Sequence, residues 1–360
     1  MKVLWLANIP SPYRVNFFNE LGKNCELTVL FEKGASDERD ESWKQFSVTH
    51  FKAIFLKGIT MGVAESFCPS VVKYLKKEYD HIVVTNFSDL TGALAVLYLR
   101  AKGVAYELES DGAFPGSGKG FKESIKRFLI KGADRYFSTA QLHDQYYQTY
   151  GAEKDKIVRY PFTSVWSKDV LLSPVSQEQK LKLRSHLGMT EKHIVLAVGQ
   201  FIYRKGFDIL IKAAARLNND IGIYIVGGKE TEEYTQLLAE YGVKNVHFCE
   251  FAVKKILMSY YEAADLFVHP TREDIWGLVI NEALAKGLPV VTTNRCIAGL
   301  QLIRDNYNGM IVDVEDDVVL ADAINTVLNN RNMSIGALES ASQYTVEKMA
   351  GAHMDVWLKR

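Results

Sequence analysis

Short runs of apolar residues alternate with stretches of helical periodicity along most of the chain. This alternation is typical of α/β folds, in which parallel strands are joined by crossover helices. The strands predicted for the first half are Val3–Asn8, Glu26–Phe31, His81–Asn86, Ala105–Glu109, Arg135–Thr139 and Ile157–Tyr160. The helices predicted there lie near Tyr13–Leu21, Pro69–Glu78, Leu90–Ala101, Lys122–Lys131 and Gln141–Tyr150. The first half therefore predicts a parallel sheet.

The pattern starts again after a strand-poor stretch, Val165–Leu187, which carries Pro174, several Ser and Gln residues and a charged helical run. The strands predicted beyond it are Ile194–Val198, Gly222–Val226, Val246–Phe248, Leu266–His269, Pro289–Thr293 and Gly309–Asp313. The helices predicted beyond it are Phe207–Leu217, Glu232–Tyr241, Ile256–Ala263, one opening at Gly277, further helices from about Val318, and roughly Thr345–Leu358. The second half therefore predicts another α/β sheet.

The length of the chain also favours two domains. A single core usually stops growing at about 250–300 residues, and the chain has 360. We expect an N-terminal domain over 1–170, a linker over 171–190, a second domain over 191–344 and a C-terminal helix over 345–360.

Charge and cysteine content exclude several classes of protein. Lys and Arg number 43, as do Asp and Glu, so the formal net charge of zero gives no support for nucleic-acid binding. The 4 cysteines are scattered, which argues against a zinc site or a disulfide framework and for a reducing compartment. The first residues lack the apolar region of a signal peptide, and no apolar run approaches the ~18–20 residues that span a bilayer. We therefore expect a cytoplasmic protein.

The stretch from Pro270 to Val291 carries the strongest chemical signal. It has a polar loop that follows a strand and opens a helix at Gly277–Leu278. In α/β sheets such a loop binds anions through free backbone N–H groups and the positive end of the helix dipole. Asp274 lies in the loop, and Glu282 lies about one helical turn further in, where it can accept hydrogen bonds from a sugar or ribose hydroxyl. The alternative is an ordinary βαβ unit with a solvated acidic loop.

This stretch resembles the glutamate-x7-glutamate motif of family 4 retaining glycosyltransferases, including those of bacterial polysaccharide synthesis. The match continues through Trp276-Gly277-Leu278, Glu282-Ala283 and Gly287-Leu288-Pro289-Val290. The first acid is Asp274 where the family more often has Glu, which shortens its reach by one methylene. The resemblance implies the GT-B fold: two Rossmann-like domains whose parallel sheets face each other across a cleft. It also implies that the C-terminal helix packs back on the N-terminal domain.

A second loop, Gly199-Gln-Phe-Ile-Tyr-Arg-Lys-Gly206, follows a predicted strand and precedes a helix. Arg and Lys at a helix N-terminus can neutralise a diphosphate. By resemblance this is the phosphate loop, in which Arg204 and Lys205 hold the pyrophosphate, although Gln200 stands where the family often has Arg. Gly227 ends another strand with a turn that lets backbone approach a nucleotide, and residues 246–251 resemble the stretch that brackets the base. A solvated loop is the alternative.

Two groups of residues in the first half are assigned to the acceptor side. Tyr13 and Arg14 follow a stiff Pro-x-Pro turn, and similar openings occur in bacterial polysaccharide glycosyltransferases. They are expected to contact the acceptor or the donor phosphate; a turn that caps the first helix is the alternative. Glu109 and Asp111 end a strand, and the resemblance implies that they bind sugar hydroxyls or orient the acceptor hydroxyl. Their spacing also resembles the metal-binding motif of the other glycosyltransferase fold, and a structural turn remains an alternative.

Residues 119–131 are basic and aromatic. The preceding glycines do not form a phosphate-binding P-loop, because position 113 is Ala and Gly follows Lys119. A basic amphipathic helix of this kind can lie on an anionic membrane surface. An exposed helix of the first domain would have the same pattern, so contact of 119–131 with the inner face of the membrane is one of two interpretations.

The resemblance implies transfer of a sugar from a nucleotide diphosphate sugar to a saccharide or lipid-linked saccharide hydroxyl, with retention of configuration. The residues expected to act in catalysis are Arg204, Lys205, Asp274, Glu282 and Asp111. The residues expected at the donor are Gly199, Gly227, Gly277 and Leu278, and those expected on the acceptor side are Tyr13, Arg14 and Glu109. We expect no cofactor and no metal, since the nucleotide sugar is a co-substrate. A nucleotide-sugar epimerase or hydrolase, or a non-catalytic nucleotide-sugar-binding scaffold, is the alternative on the same fold.

Overall fold

The computed structural model describes residues 1–34, 47–61, 65–330 and 332–359. The chain forms two units. The first unit consists of Met1–Ser164 together with Thr345–Arg360, and the second unit of Val165–Tyr344. Each unit has its own parallel sheet, which confirms the predicted α/β fold with two Rossmann-like parts.

The strands are β1 Lys2–Ala7, β2 Glu26–Phe31, β3 Lys52–Phe55, β4 Ile59–Met61, β5 Glu65–Phe67, β6 His81–Thr85, β7 Glu107–Glu109, β8 Arg135–Ser138, β9 Ile157–Arg159, β10 His193–Val198, β11 Ile221–Val226, β12 Val246–Cys249, β13 Leu266–His269, β14 Val290–Thr293 and β15 Gly309–Val312.

The α-helices are α1 Pro12–Leu21, α2 Leu90–Ala101, α3 Phe121–Ile130, α4 Gln141–Thr149, α5 Gln177–Leu187, α6 Phe207–Ala214, α7 Glu232–Tyr241, α8 Lys254–Ala263, α9 Leu278–Ala285, α10 Ile297–Leu302, α11 Asp317–Leu328, α12 Met333–Ser342 and α13 Val346–Leu358. Short 3₁₀ helices cover Pro69–Lys73, Lys154–Lys156, Ser167–Asp169 and Tyr203–Lys205.

The twelve predicted strands are all present, and the errors lie at the margins of the sheets. The predicted helix Pro69–Glu78 is only the short 3₁₀ helix Pro69–Lys73. The edge strand β3, the antiparallel hairpin β4–β5 and the short helix α10 were not predicted. Elements this short offer too little periodicity for detection.

Each sheet has a point at which the strand order reverses. The seven-stranded sheet of the first unit has the order β3-β2-β1-β6-β7-β8-β9, so its reversal lies between β1 and β6. The six-stranded sheet of the second unit has the order β12-β11-β10-β13-β14-β15, with its reversal between β10 and β13. The loops at the carboxyl ends of the two strands diverge at such a point and leave a crevice in which α/β proteins bind ligands.

Helix α13 closes the core of the first unit. Trp357 is buried, donates a hydrogen bond from Nε1 to Glu107 at 2.8 Å, and packs edge-on against Trp5 and Phe137. His353 is fully buried beside them, and burial lowers the pKa of its imidazole to about 4. The C-terminal helix is therefore a structural part of the first unit.

Replacing Trp357 by Ala should lower the free energy of unfolding by about 3–5 kcal/mol, because it leaves a large cavity and removes the hydrogen bond to Oε2 of Glu107. The matched control is Leu358→Ala, since the neighbouring Leu358 is 68% exposed and should change stability by less than about 0.5 kcal/mol. Equilibrium denaturation followed by tryptophan fluorescence measures both. Equal effects of the two substitutions would contradict this account of α13.

Candidate functional site

The loops after β10 and β13 meet at the reversal point of the second sheet. Gly206 ends the 3₁₀ turn Tyr203–Lys205 with φ of 68°, and a Cβ atom there would lie 2.1 Å from the carbonyl oxygen of Pro270. Only glycine permits this approach. Helix α6 begins immediately afterwards, at Phe207. The two loops therefore form one surface, with the N-terminus of a helix beside it.

Lys205, Asp274 and His269 converge on this surface. The Lys205 Nζ atom lies 2.7 Å and the His269 Nε2 atom 3.1 Å from Oδ2 of Asp274. Asp274 is largely buried, and burial alone would raise the pKa of its carboxyl. The hydrogen bonds and charges of His269 and Lys205 overcome that effect and hold the pKa well below its usual range. Asp274 is therefore a carboxylate with fixed partners.

His269 was not among the predicted site residues. It is the last residue of the buried strand β13, and burial lowers the pKa of its imidazole despite the opposing influence of Asp274. As a neutral ring it donates Nε2–H to Asp274, while its buried Nδ1 atom has no hydrogen-bond partner among the described residues. A polar residue that ends an apolar strand was the signal in the sequence.

Arg204 lies beside this cluster, with its guanidinium 47% exposed. Its Nη1 atom donates to the carbonyl oxygen of Glu273 at 2.8 Å and lies 3.7 Å from Asp274 Oδ2. The backbone of Arg204 is held from the other loop, because its carbonyl oxygen accepts from Thr271 Oγ1 at 2.9 Å and from the Arg272 N–H at 2.8 Å. Arg204 therefore has a fixed backbone and a side chain accessible to solvent.

Arg272 was not among the predicted site residues either. Its guanidinium forms two hydrogen bonds with Asp208, at 2.8 and 2.7 Å, and donates to the carbonyl oxygen of Tyr203 at 2.7 Å. It also lies 3.8 Å from the centre of the Tyr203 ring. Arg272 thereby fixes the 3₁₀ turn that presents Arg204 and Lys205.

The predicted glycines lie where backbones approach closely. Gly227 has φ of 142°, and a Cβ atom on it would lie 2.1 Å from the carbonyl oxygen of Gly199, so the strand ends of β10 and β11 touch. Gly277 has φ of 103° directly before α9, and a Cβ atom there would lie 2.9 Å from Sγ of Cys296. Leu278 is the half-buried first residue of α9. A side chain at Gly227 would therefore displace backbone of the site, and one at Gly277 would collide with the Cys296 side chain.

Glu282 lies in α9 and is half-buried. Its Oε2 atom accepts a hydrogen bond from the hydroxyl of Tyr261 at 3.2 Å. Tyr261 is fully buried, and burial together with Glu282 raises the pKa of its phenol. Tyr261 of α8 thus fixes the position of the Glu282 carboxylate.

The four predicted residues of the first unit form one connected cluster. Nη1 of Arg14 donates to both carboxylate oxygens of Glu109, at 2.8 and 2.9 Å, and its Nη2 atom donates to Asp111. The hydroxyl of Tyr13 donates to the other oxygen of Asp111 at 2.6 Å. Glu109 is completely buried and also accepts from the hydroxyl of Tyr160. The cluster therefore contains two carboxylates and one guanidinium.

A cavity of about 180 Å³ opens beside this cluster, at the reversal point between β1 and β6. It is lined by Ala7, Asn8, Ile9, Ser11, Tyr13, Arg14, Thr85, Asn86 and Asp111. Asn86 has the left-handed φ of 53°, a conformation that costs energy and is often found at functional sites. The cavity is therefore the second candidate site.

The residues with described positions contain neither a cluster of metal ligands nor a membrane-spanning helix. Within them, no group of three or more His, Cys, Asp and Glu side chains could hold a metal ion. Also within them, no helix is both long enough and apolar enough to span a bilayer.

Residues 179–344 match the sequence profile of the family described as glycosyl transferases group 1. The chain is 30% identical over 226 residues to the D-inositol 3-phosphate glycosyltransferase of Nocardia farcinica, covering 59% of this chain and 48% of that protein. It is 28% identical over 159 residues to the lipopolysaccharide glucosyltransferase WaaG of Escherichia coli, covering 43% of this chain and 42% of that protein. The chain thus spans about half the length of the curated relatives it matches.

Solved structures resemble the whole chain. Anabaena Alr3699/HepE in complex with UDP and glucose has a TM-score of 0.76 at 18% identity, with 99% of each chain covered. Sucrose-phosphate synthase from Thermosynechococcus elongatus has a TM-score of 0.77 at 19% identity, with 99% of this chain and 98% of that chain covered. The chain therefore has the GT-B fold of two Rossmann-like units, and residues 179–344 match group 1 glycosyl transferases.

Proposed function

We propose that the protein is a retaining glycosyltransferase that transfers a sugar from a nucleotide diphosphate sugar to a hydroxyl acceptor. The product would be a cell-surface polysaccharide or glycolipid. The observation that carries this proposal is the convergence of Arg204 and Lys205 beside Asp274, at the reversal point of the second sheet. The likeness to HepE, which was solved with UDP and glucose, supports a nucleotide-sugar donor.

Arg204 and Lys205 are suited to a pyrophosphate. The Lys205 ammonium has three N–H donors, and one of them is used by Asp274 at 2.7 Å. The exposed guanidinium of Arg204 offers several more. When the glycosidic bond breaks, negative charge grows on the leaving phosphate, and two fixed cations with a helix N-terminus stabilise it. Lys205 and Arg204 are thus the proposed catalytic cations.

Asp274 is proposed to position Lys205. Its Oδ2 atom holds the ammonium, with His269 behind it at 3.1 Å. We still predict that Asp274 contacts the donor sugar and that Glu282 contacts the ribose. The donor residues Gly199, Gly227, Gly277 and Leu278 are proposed to bring backbone close to the nucleotide and its phosphates.

The reaction is proposed to follow a front-face displacement. The acceptor oxygen bonds to the anomeric carbon on the face that the phosphate leaves, and the leaving phosphate takes the acceptor proton. Asp111 and Tyr13 would orient the acceptor hydroxyl.

Incubation of the sugar nucleotide with and without acceptor separates this proposal from its rivals. Product in water alone favours a hydrolase or epimerase, donor binding without any turnover favours a scaffold, and a trapped glycosyl-enzyme adduct contradicts front-face displacement.

Replacing Lys205 by Ala should weaken binding of a nucleoside diphosphate by about ten- to a hundredfold, since a hydrogen bond to a charged group contributes about 1.5–3 kcal/mol. Calorimetric titration with UDP, GDP and ADP measures this against the wild type. The matched control is Lys192→Ala, because Lys192 is exposed and precedes β10 at the opposite edge of the sheet. Unchanged affinity of the Lys205 variant would refute the phosphate-loop assignment.

Replacing Asp274 by Asn should lower the free energy of unfolding by about 3–5 kcal/mol at neutral pH, because Lys205 then loses its buried counter-ion. Since the folded pKa of Asp274 is depressed, its contribution is present above the unfolded pKa of about 3.9 and disappears as the pH falls towards the folded pKa. The difference between wild type and variant should therefore shrink below about pH 4.

Urea denaturation between pH 3 and 7 measures this difference. The control is Glu273→Gln, because Glu273 is the neighbouring residue and its ion pair with Arg295 is exposed. That change should cost about 0–1 kcal/mol. A loss for Asp274→Asn no greater than for the control would show that the buried pair is not stabilising.

We also propose that α3 holds the protein on the inner face of the membrane. Phe121, Ile125 and Phe128 are 81%, 45% and 59% exposed and lie on one face, at spacings of four and three residues. Lys122 lies between them in the sequence, as does Lys126, whose ammonium also pairs with Glu123 at 3.2 Å. Glu123 faces the protein instead, because it accepts from Tyr150. An apolar stripe flanked by cations fits an anionic lipid surface.

The double substitution of Phe121 and Phe128 by Ser should lower partitioning into vesicles of phosphatidylglycerol by at least about tenfold, because burial of one such ring contributes about 1.5–3 kcal/mol. Vesicle sedimentation measures it, with phosphatidylcholine vesicles and added salt expected to weaken wild-type binding. Leu172→Ser is the control, since Leu172 is a fully exposed apolar residue of the second unit. Failure of the wild type to sediment with anionic vesicles would overturn the proposal.

A further inference from the structure

We infer that the cavity between β1 and β6 binds an uncharged sugar ring or polyol and discriminates against a phosphorylated one. The role of this ligand as the acceptor rests on the proposed function. Its preferred charge rests on the residues around the cavity. The cavity lies within the first unit, at the carboxyl ends of the strands where the order of its sheet reverses.

The size of the cavity suits one small ring. Its volume of about 180 Å³ is many times the ~10–15 Å³ that a cavity needs to hold one water molecule. Its lining residues include Asn8, Ser11, Asn86 and Asp111. Amide, hydroxyl and carboxylate groups are the usual partners of sugar hydroxyls, which both donate and accept hydrogen bonds.

The wall of the cavity is held in place before any ligand binds. Asn86 adopts φ of 53°, and its carbonyl oxygen accepts from the Asp89 N–H at 3.0 Å. Helix α2 packs so closely that a Cβ atom on Gly92 would lie 2.4 Å from that oxygen. Fixing polar groups in advance lowers the cost of binding a ring through hydrogen bonds.

The cluster of Arg14, Asp111 and Glu109 beside the cavity has a negative formal charge, with Glu109 completely buried behind the lining residues. Among the described lining residues Arg14 is the cation, and its guanidinium is shared between Glu109 and Asp111. Two carboxylates and one guanidinium leave a formal charge of minus one. The N-terminus of α1 contributes about half a positive charge, which does not cancel it.

A phosphate group would bind unfavourably whether Arg14 keeps its place or turns towards the phosphate. A phosphate monoester carries a charge of about −1.5 to −2 at pH 7, so placing it beside Asp111 brings like charges together. Turning Arg14 towards the phosphate would instead break the pair with Glu109, which is completely buried, and leave that carboxylate uncompensated. A neutral ring meets neither penalty. The chain should therefore differ in acceptor from relatives named D-inositol 3-phosphate glycosyltransferase.

The test is a ligand-observed NMR titration of the full chain without donor. Two matched pairs serve as probes: myo-inositol against inositol 3-phosphate, and methyl glucoside against its 6-phosphate. The neutral member of each pair should bind at least about tenfold more tightly, which corresponds to about 1.4 kcal/mol. Added salt should narrow the difference, because it screens repulsion between charges and leaves a purely steric preference unchanged.

Asp111→Asn removes one negative charge and should bring the ratio for each pair close to one. The matched control is Glu153→Gln, because Glu153 pairs with Lys156 on the surface of the same unit and should leave the ratio unchanged. If the Asp111 variant fails to fold, the salt dependence of the wild type still decides the question.

Equal or tighter binding of the phosphorylated probes would overturn the inference, as would no binding of the neutral probes at their solubility limit. Failure of the proposed function gives a different result. In that case the neutral probes bind with the expected preference, yet no sugar is transferred from any nucleotide sugar.

Discussion

The burial of a lysine ammonium against a carboxylate is the interaction on which the second unit's site depends. Removing two such ions from water costs several kcal/mol for each, and only close partners repay that cost. Asp274 provides the charge for Lys205 at 2.7 Å and takes a further hydrogen bond from neutral His269. The two charges come from loops of different strands, so the pair exists only if those loops touch.

That contact depends on residues outside the Lys205–Asp274 pair. Gly206 lets the backbone of one loop approach Pro270 of the other, and Thr271 binds the carbonyl oxygen of Arg204. Arg272 adds a hydrogen bond to the neighbouring carbonyl of Tyr203. These residues act on the cations through the backbone, and the site therefore extends well beyond the side chains that would meet a phosphate.

The sequence was most informative where structure is local. The parallel strands are short apolar runs and could be predicted, and the loops of the site follow from their places at strand ends. Arg272 could not be found in this way, because its role arises from contacts with Asp208 and Tyr203 across the reversal point. His269 does end a strand, and its position there was the signal that could have found it. Arg14 illustrates the same limit: as a lone residue in a turn it suits a phosphate, whereas the structure pairs it with Glu109 and Asp111.

The two units place opposite charges at equivalent points of the same fold. In the second unit Arg204 and Lys205 outnumber Asp274, so the cluster is positive and suits a diphosphate. In the first unit Glu109 and Asp111 outnumber Arg14, so the cluster is negative and suits hydroxyl groups. Both sheets reverse their strand order at the site, so the backbone offers similar crevices. Under the proposed function, charge at a few strand ends, rather than the fold, would then distinguish the ligand of one unit from that of the other.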